Sequence, residues 1–227
     1  MNVPALVIPS RPKELAIVKR RLSAVALVLL ATACSREGEI AQGGIYVTRS
    51  VCPQVGIPAA TGDITLFNPS NRTDAAALDV SAAMTNLRST CDDTGANVVS
   101  TVTFDVVATR RDATQARSVV LPYFTVAMQG GTQVVAKRLG NVGLNFAAGS
   151  IRAQTSGQAT IQVSRSVATL SEEVRRELTR KRKANDPSAS IDPLSDPNIR
   201  DAVARATFEH LIGFQLRQEQ LRYNATR

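Results

Sequence analysis

The sequence has no tryptophan, and its six phenylalanines and three tyrosines amount to only 4% of 227 residues. Any core must therefore be filled mainly by Val, Leu, Ile and Ala, a composition that favours strands. There is one histidine and there are three cysteines. Two thiols with no nearby histidine do not make a closed metal site, so no metal and no cofactor is expected. No Gly-x-Ser-x-Gly elbow singles out a nucleophile, and no Gly-x-x-x-x-Gly-Lys cradles a phosphate. Three Asp-Pro pairs, at Asp186, Asp192 and Asp196, lack the spacing and the closing glutamate of an EF-hand. The longest uncharged apolar run, Leu22 to Ala33, falls short of the ~20 residues that span a bilayer.

What the chain does have is positive charge, +8 in all. Its placement matters more than its sum. Residues 1 to 33 carry Arg11, Lys13, Lys19, Arg20 and Arg21 against Glu14, a net +4. Between Val174 and Lys183 stand Arg175, Arg176, Arg180, Lys181, Arg182 and Lys183 against Glu177, a net +5. The rest is close to neutral. A nucleic-acid reader would spread its cations over a face with stacking aromatics among them, and this single block holds none. The block is a candidate for contact with an anionic surface or an acidic partner. A solvated helix face is the alternative.

Lys19-Arg20-Arg21, the apolar run after it and the small residues at its end have the parts of a secretory signal. The run closes on Ala31-Thr32-Ala33-Cys34. This segment resembles the lipobox of bacterial lipoproteins, with Ala31 where that family usually has Leu. The resemblance covers the first 34 residues. It implies cleavage before Cys34, a diacylglyceryl thioether on that cysteine, acyl chains such as palmitate, and a membrane anchor. Each buried methylene contributes ~0.8 kcal/mol, so two or three chains hold a protein stably. Ser35 after the cysteine points, by the sorting rule of that family, to the outer membrane. An ordinary signal peptide cut after Ala33 would leave Cys34 a free thiol. Arg20-Arg21-Leu22 is an incomplete twin-arginine pattern, which favours the general secretion route. Met1 to Ile17, with three prolines, does not read as part of a signal, and a start at Val18 would give a compact one.

Three cysteines in an exported chain leave one over. With Cys34 lipidated, Cys52 and Cys91 remain, and an oxidising compartment makes a disulfide the default expectation over two free thiols. A loop of this length contributes roughly 4 kcal/mol in the chain-entropy account.

Beyond a short tether, Ser35 to Gly44, the pattern predicts a single domain over residues 45 to 227. Strands are expected at Ile45 to Val47, Asp63 to Phe67, Ala77 to Thr90 and Asn97 to Arg110. In the third, Leu78, Val80, Ala82 and Met84 share a face. Asp92-Asp93-Thr94-Gly95 marks a turn, and Gly130-Gly131 suits a tight hairpin between Ser118 to Gln129 and Thr132 to Leu139. Val142 to Phe146 and Ala159 to Val167 complete the run. Short strands at this spacing predict a mainly β protein, an antiparallel sandwich that resembles immunoglobulin- or fibronectin-like domains in architecture only. Thr169 and Glu172 form a capping-box pattern for a helix reaching about residue 184. A second helix, from Pro197 to Ala206, has Asp196 as its N-cap. Phe208 to Leu216 reads as a last strand, and Gln218 to Tyr223 as a helical turn or two.

These features predict a lipid-anchored envelope protein that binds or assembles with another envelope protein and catalyses nothing. A glycan binder is the alternative from another class, and it would need exposed rings at Phe67, Tyr123 or Tyr223. A hydrolase would need a pocket at His210, which otherwise reads as a hydrogen-bonded core residue.

Overall fold

A computed structural model describes residues 50–180, 187 and 191–226. Among these residues eight strands form two four-stranded sheets. The first sheet orders β1 (Gln54–Gly56), β8 (Phe208–Phe214), β5 (Arg117–Gln129) and β6 (Gln133–Phe146). The second orders β2 (Asp63–Phe67), β3 (Leu78–Asp92), β4 (Asn97–Arg110) and β7 (Arg152–Ser164). Among the described strands only β1 and β8 pair in parallel. The protein is a mainly β sandwich with helices near its C-terminus.

Period-two patterning decides which side chains enter the space between the sheets. On β3 these are Val80, Ala82 and Met84, and on β4 Val98, Val102, Phe104 and Val106, all buried. Leu121, Leu144, Phe146, Ile212 and Phe214 come from the first sheet to meet them. The β3–β4 turn is held by Asp92, whose carboxylate accepts from the amide and hydroxyl of Thr94 at 3.0 and 2.7 Å. The β5–β6 turn uses Gly130 and Gly131 at φ +60° and +72°, the left-handed region open to glycine.

Two strands differ most from the sequence pattern; besides them, β1 has no counterpart in it, and β8 ends at Phe214 rather than Leu216. The expected segments Thr132 to Leu139 and Val142 to Phe146 are one strand, β6, because Gly140 is not a break. It pairs with Tyr123, whose ring lies where a β-carbon would stand. Likewise β7 begins at Arg152 rather than Ala159 and ends at Ser164, short of Val167. Its polar first half carries Gly157, which leaves room for the Phe104 ring. The strand expected at Ile45 to Val47 lies outside the described residues.

Among the described residues four α-helices follow β7: α1 (Arg165–Ala168), α2 (Glu172–Thr179), α3 (Pro197–Arg205) and α4 (Gln218–Thr226). The cap of α2 is Ser171, which accepts from the Val174 amide, while the Thr169 hydroxyl donates to the Arg165 carbonyl. The helix ends at Thr179, with Arg180 already extended, so the run expected to residue 184 is shorter. Asp196 caps α3 as expected, accepting from the Asn198 amide at 2.8 Å. Asp192 caps a short 3-10 turn, Pro193–Ser195, in the same manner. Helix α4 docks against β2: Tyr223 meets Phe67 edge to face at 5.2 Å, and the Asn224 amide donates to the Ala60 and Asp63 carbonyls.

Candidate functional site

Cys52 and Cys91 form a disulfide, with Cα atoms 6.1 Å apart. It joins the segment entering β1 in one sheet to the end of β3 in the other. Cys34 lies outside the described residues, as do Lys181, Arg182 and Lys183.

The described part of the basic block is balanced by acids of its own helix. Arg175 pairs with Glu172, Arg180 with Glu177 at 3.1 Å, and Arg176 donates to the Glu172 carbonyl. Helix α2 opens on Glu172 and Glu173, so from 172 to 183 the six cations face three acids. The net +3 equals the contribution of Lys181, Arg182 and Lys183. Glu172 and Glu173 precede the window Val174 to Lys183, and their absence from it produced the larger count.

His210 is fully buried and sits between the sheets. Ser100 Oγ of β4 lies 3.0 Å from its Nδ1, and Thr125 Oγ1 of β5 lies 2.8 Å from its Nε2. A neutral imidazole donates at one nitrogen and accepts at the other, which satisfies both contacts. Burial pushes its pKa down to about 4. The only histidine thus serves as a polar rivet inside the core. Arg110, a second buried polar group with no signal in the sequence, donates to the carbonyls of Ala113, Gln115, Ala147 and Ser150. It ties the β4–β5 loop to the β6–β7 loop, with its guanidinium 5.0 Å from the Phe146 ring centre.

The aromatic residues named for a glycan platform are engaged within the fold. Phe67 and Tyr223 pack on each other. Tyr123 packs on Phe104 at 5.2 Å, and its hydroxyl donates to the Gln158 carbonyl. Among the described residues there is no cluster of three metal-ligating side chains, and no helix long and apolar enough to cross a membrane.

The distinctive surface is the outer face of the first sheet. Opposite the core-facing row of β5 stand Val120, which is exposed, and Pro122, Phe124 and Met128, which are half-buried, with Leu139 of β6 and Leu211 of β8 beside them; Val126, in the same row, is buried. Val120 is 64% exposed and Leu139 66%. Val120 is bare because its partner across the ladder is Gly143, which has no side chain and nothing within 4 Å of where one would begin. Lys137 spans part of the face, with its ammonium 5.4 Å from the Phe124 ring centre. Val119-Val120-Leu121 carried the signal in the sequence: consecutive apolar residues in a strand present apolar groups to both faces.

No family model, curated protein or solved structure matches the chain.

Proposed function

We propose that the chain is an exported lipoprotein of a bacterial envelope, anchored through Cys34 and acting without catalysis as a binding or assembly module for another envelope protein. The observation that carries this reading is the cysteine pairing. Of three cysteines, two are joined across the sandwich. A disulfide of this kind belongs to an oxidising compartment outside the cytosol. The remaining thiol is the one that closes the lipobox-like segment. Signal peptide, outer-membrane sorting and periplasmic placement follow from that resemblance. The outward row of Val120, Phe124 and Leu139 supports the binding part, since apolar side chains gathered on one surface mark contact sites. The burial of the sole histidine supports the non-enzymatic part.

The experiment is expression of the full chain in a Gram-negative host with an alkyne-tagged palmitate analogue. The mature protein is expected to incorporate label, to partition with detergent and to begin at a blocked Cys34. Cys34→Ser is expected to abolish labelling. An unmodified Cys34 at the N-terminus of a soluble periplasmic species overturns the proposal. In such a protein Lys181, Arg182 and Lys183 would meet anionic head groups, each contributing about 1 kcal/mol near the surface. Changing all three to Gln should weaken vesicle binding at low salt, and unchanged binding across a salt series would return them to a solvated role.

A further inference from the structure

We propose that the free edge of β6 accepts an extended segment of a partner protein as an added antiparallel strand, one that carries two adjacent acidic residues after apolar residues at alternate positions. This deepens the binding-module reading and rests on it. The direction of the edge groups follows from the ladder. The Gln215 amide donates to the Pro122 carbonyl, so Pro122 points its backbone at β8 and away from β6. In an antiparallel ladder the direction alternates residue by residue. Tyr123 and Leu121 therefore bond to β6, while the β6 partners of Pro122, Phe124 and Val120 turn their N–H and C=O groups outward. Those partners are Asn141, Leu139 and Gly143.

Among the described residues β6 is an end strand of its sheet, and its residues from Gln133 to Leu139 are exposed on both faces. The neighbouring edge, β7, has one of its carbonyls taken by Tyr123. Unpaired strand edges are templates for strand addition, with backbone bonds giving affinity and side-chain sites giving specificity.

The side chains on the edge define the occupant. Lys137 stands on the outer face and Arg138 on the opposite side of the strand, and both are exposed. Neither β5 nor β6 contains an Asp or Glu. A second copy of β6 would bring two more cations and no acid, which is repulsive along a shared edge. A segment with acids opposite Lys137 and Arg138 is attracted instead. Further along, apolar side chains opposite Leu139 and Gly143 would cover Leu139 and the uncovered Val120. In antiparallel order this reads as apolar, any, apolar, any, apolar, acid, acid.

The test uses the full chain purified in detergent and the heptapeptide Val-Thr-Val-Thr-Val-Glu-Glu, with Val-Thr-Val-Thr-Val-Lys-Lys as control. Amide hydrogen exchange at Leu139, Asn141 and Gly143 is expected to slow at least tenfold with the acidic peptide and not with the basic one. Lys137→Glu combined with Arg138→Glu should reverse that preference. Asn141→Pro removes one outward donor, a change that edge strands tolerate. It should abolish the effect while the Leu121 and Tyr123 amides stay protected. Equal protection by both peptides, none by either, or an unchanged preference in the charge-reversed variant overturns the proposal. So does a dimer whose edge amides are protected without peptide, which would make a second copy the occupant. Lipid on Cys34 is read separately by mass on the same sample, so failure of strand addition leaves the anchoring result distinct.

Discussion

The two outer faces of this sandwich come from strands of similar length and the same alternation, yet their surfaces are unlike. On the second sheet the outward row of β4 includes Val99 and the exposed Val107, but its polar residues are bonded to one another across the strands. Thr101 and Thr160 hydroxyls lie 3.1 Å apart, and Asp105 accepts from Ser156 and Asn86, both at 2.7 Å. Those two bonds hold the Asp105 carboxyl below its usual pKa, the one from Ser156 most of all. On the first sheet, one such bond, from the Ser118 hydroxyl to the Asn145 side-chain oxygen at 2.7 Å, lies at one end of the face, and Val120, Phe124 and Leu139 face outward beyond it. Burying the core constrains inner rows alone, so an outer row is free to report what else the surface meets. One face is mostly polar, and the other carries the two most exposed valine and leucine side chains of the described residues, Val120 and Leu139.

That contrast requires the sheets to stay back to back, and the severest test is to cut their covalent link. Cys52→Ser with Cys91→Ser is expected to lower stability by roughly 4 kcal/mol, discounted for structure kept in the unfolded chain. Thermal unfolding followed by circular dichroism measures it, and an unchanged melting temperature would show that the cross-link constrains nothing.

Acid attacks the pairing from inside. The pKa of His210 falls from 6.5 to about 4 on folding, so the unfolded chain binds the proton first as pH drops. Its contribution is complete above pH 6.5 and is lost as pH falls toward 4, a loss of roughly 3 kcal/mol at most. Asp74, Asp92, Asp105 and Asp112 all have lowered pKa values and lose their contributions only at lower pH, below the ordinary carboxylate value of 3.8. Denaturant midpoints measured from pH 7 to pH 4 should slope in the parent and flatten in His210→Gln. Parallel curves would remove His210 from the account.

The smallest effects sharpen the comparison by exchanging the faces. Val120→Thr with Leu139→Thr should change stability within about 0.5 kcal/mol, as exposed substitutions do, while reducing binding of an apolar fluorescent dye. Thr101→Val with Thr160→Val should move stability by a similarly small amount and raise dye binding. A dye signal that ignored both exchanges would mean that the first face is no more apolar to solvent than the second.

Local chemistry made much of this fold legible. β2 and β4 match the sequence pattern at both ends, Gly130-Gly131 turns as expected, and Asp196 caps α3. What escaped depended on distant partners. Gly140 reads as a break until the Tyr123 ring is placed over it, and the polar start of β7 becomes a strand only beside β4. Nothing in Gln54–Gly56 announces a parallel partner more than 150 residues away. The candidate site was half visible: Val119-Val120-Leu121 marked a strand, but which face would stay uncovered depended on Gly143 across the ladder. The buried Arg110 looked like any surface arginine, since its acceptors are four carbonyls from two separate loops.

The disulfide also sets how the molecule carries a mechanical load. A pull transmitted along the chain ahead of Ser50 would reach β1 first, and three residues in register with β8 would unzip one at a time. Cys52 stands ahead of that strand and is bolted to Cys91. Tension therefore bypasses β1 and passes into β3, fifteen residues long and flanked on both sides by neighbours in its sheet. If the upstream chain is a lipid tether, the domain hangs from one of its strongest strands by a covalent hook, and β1 is left slack.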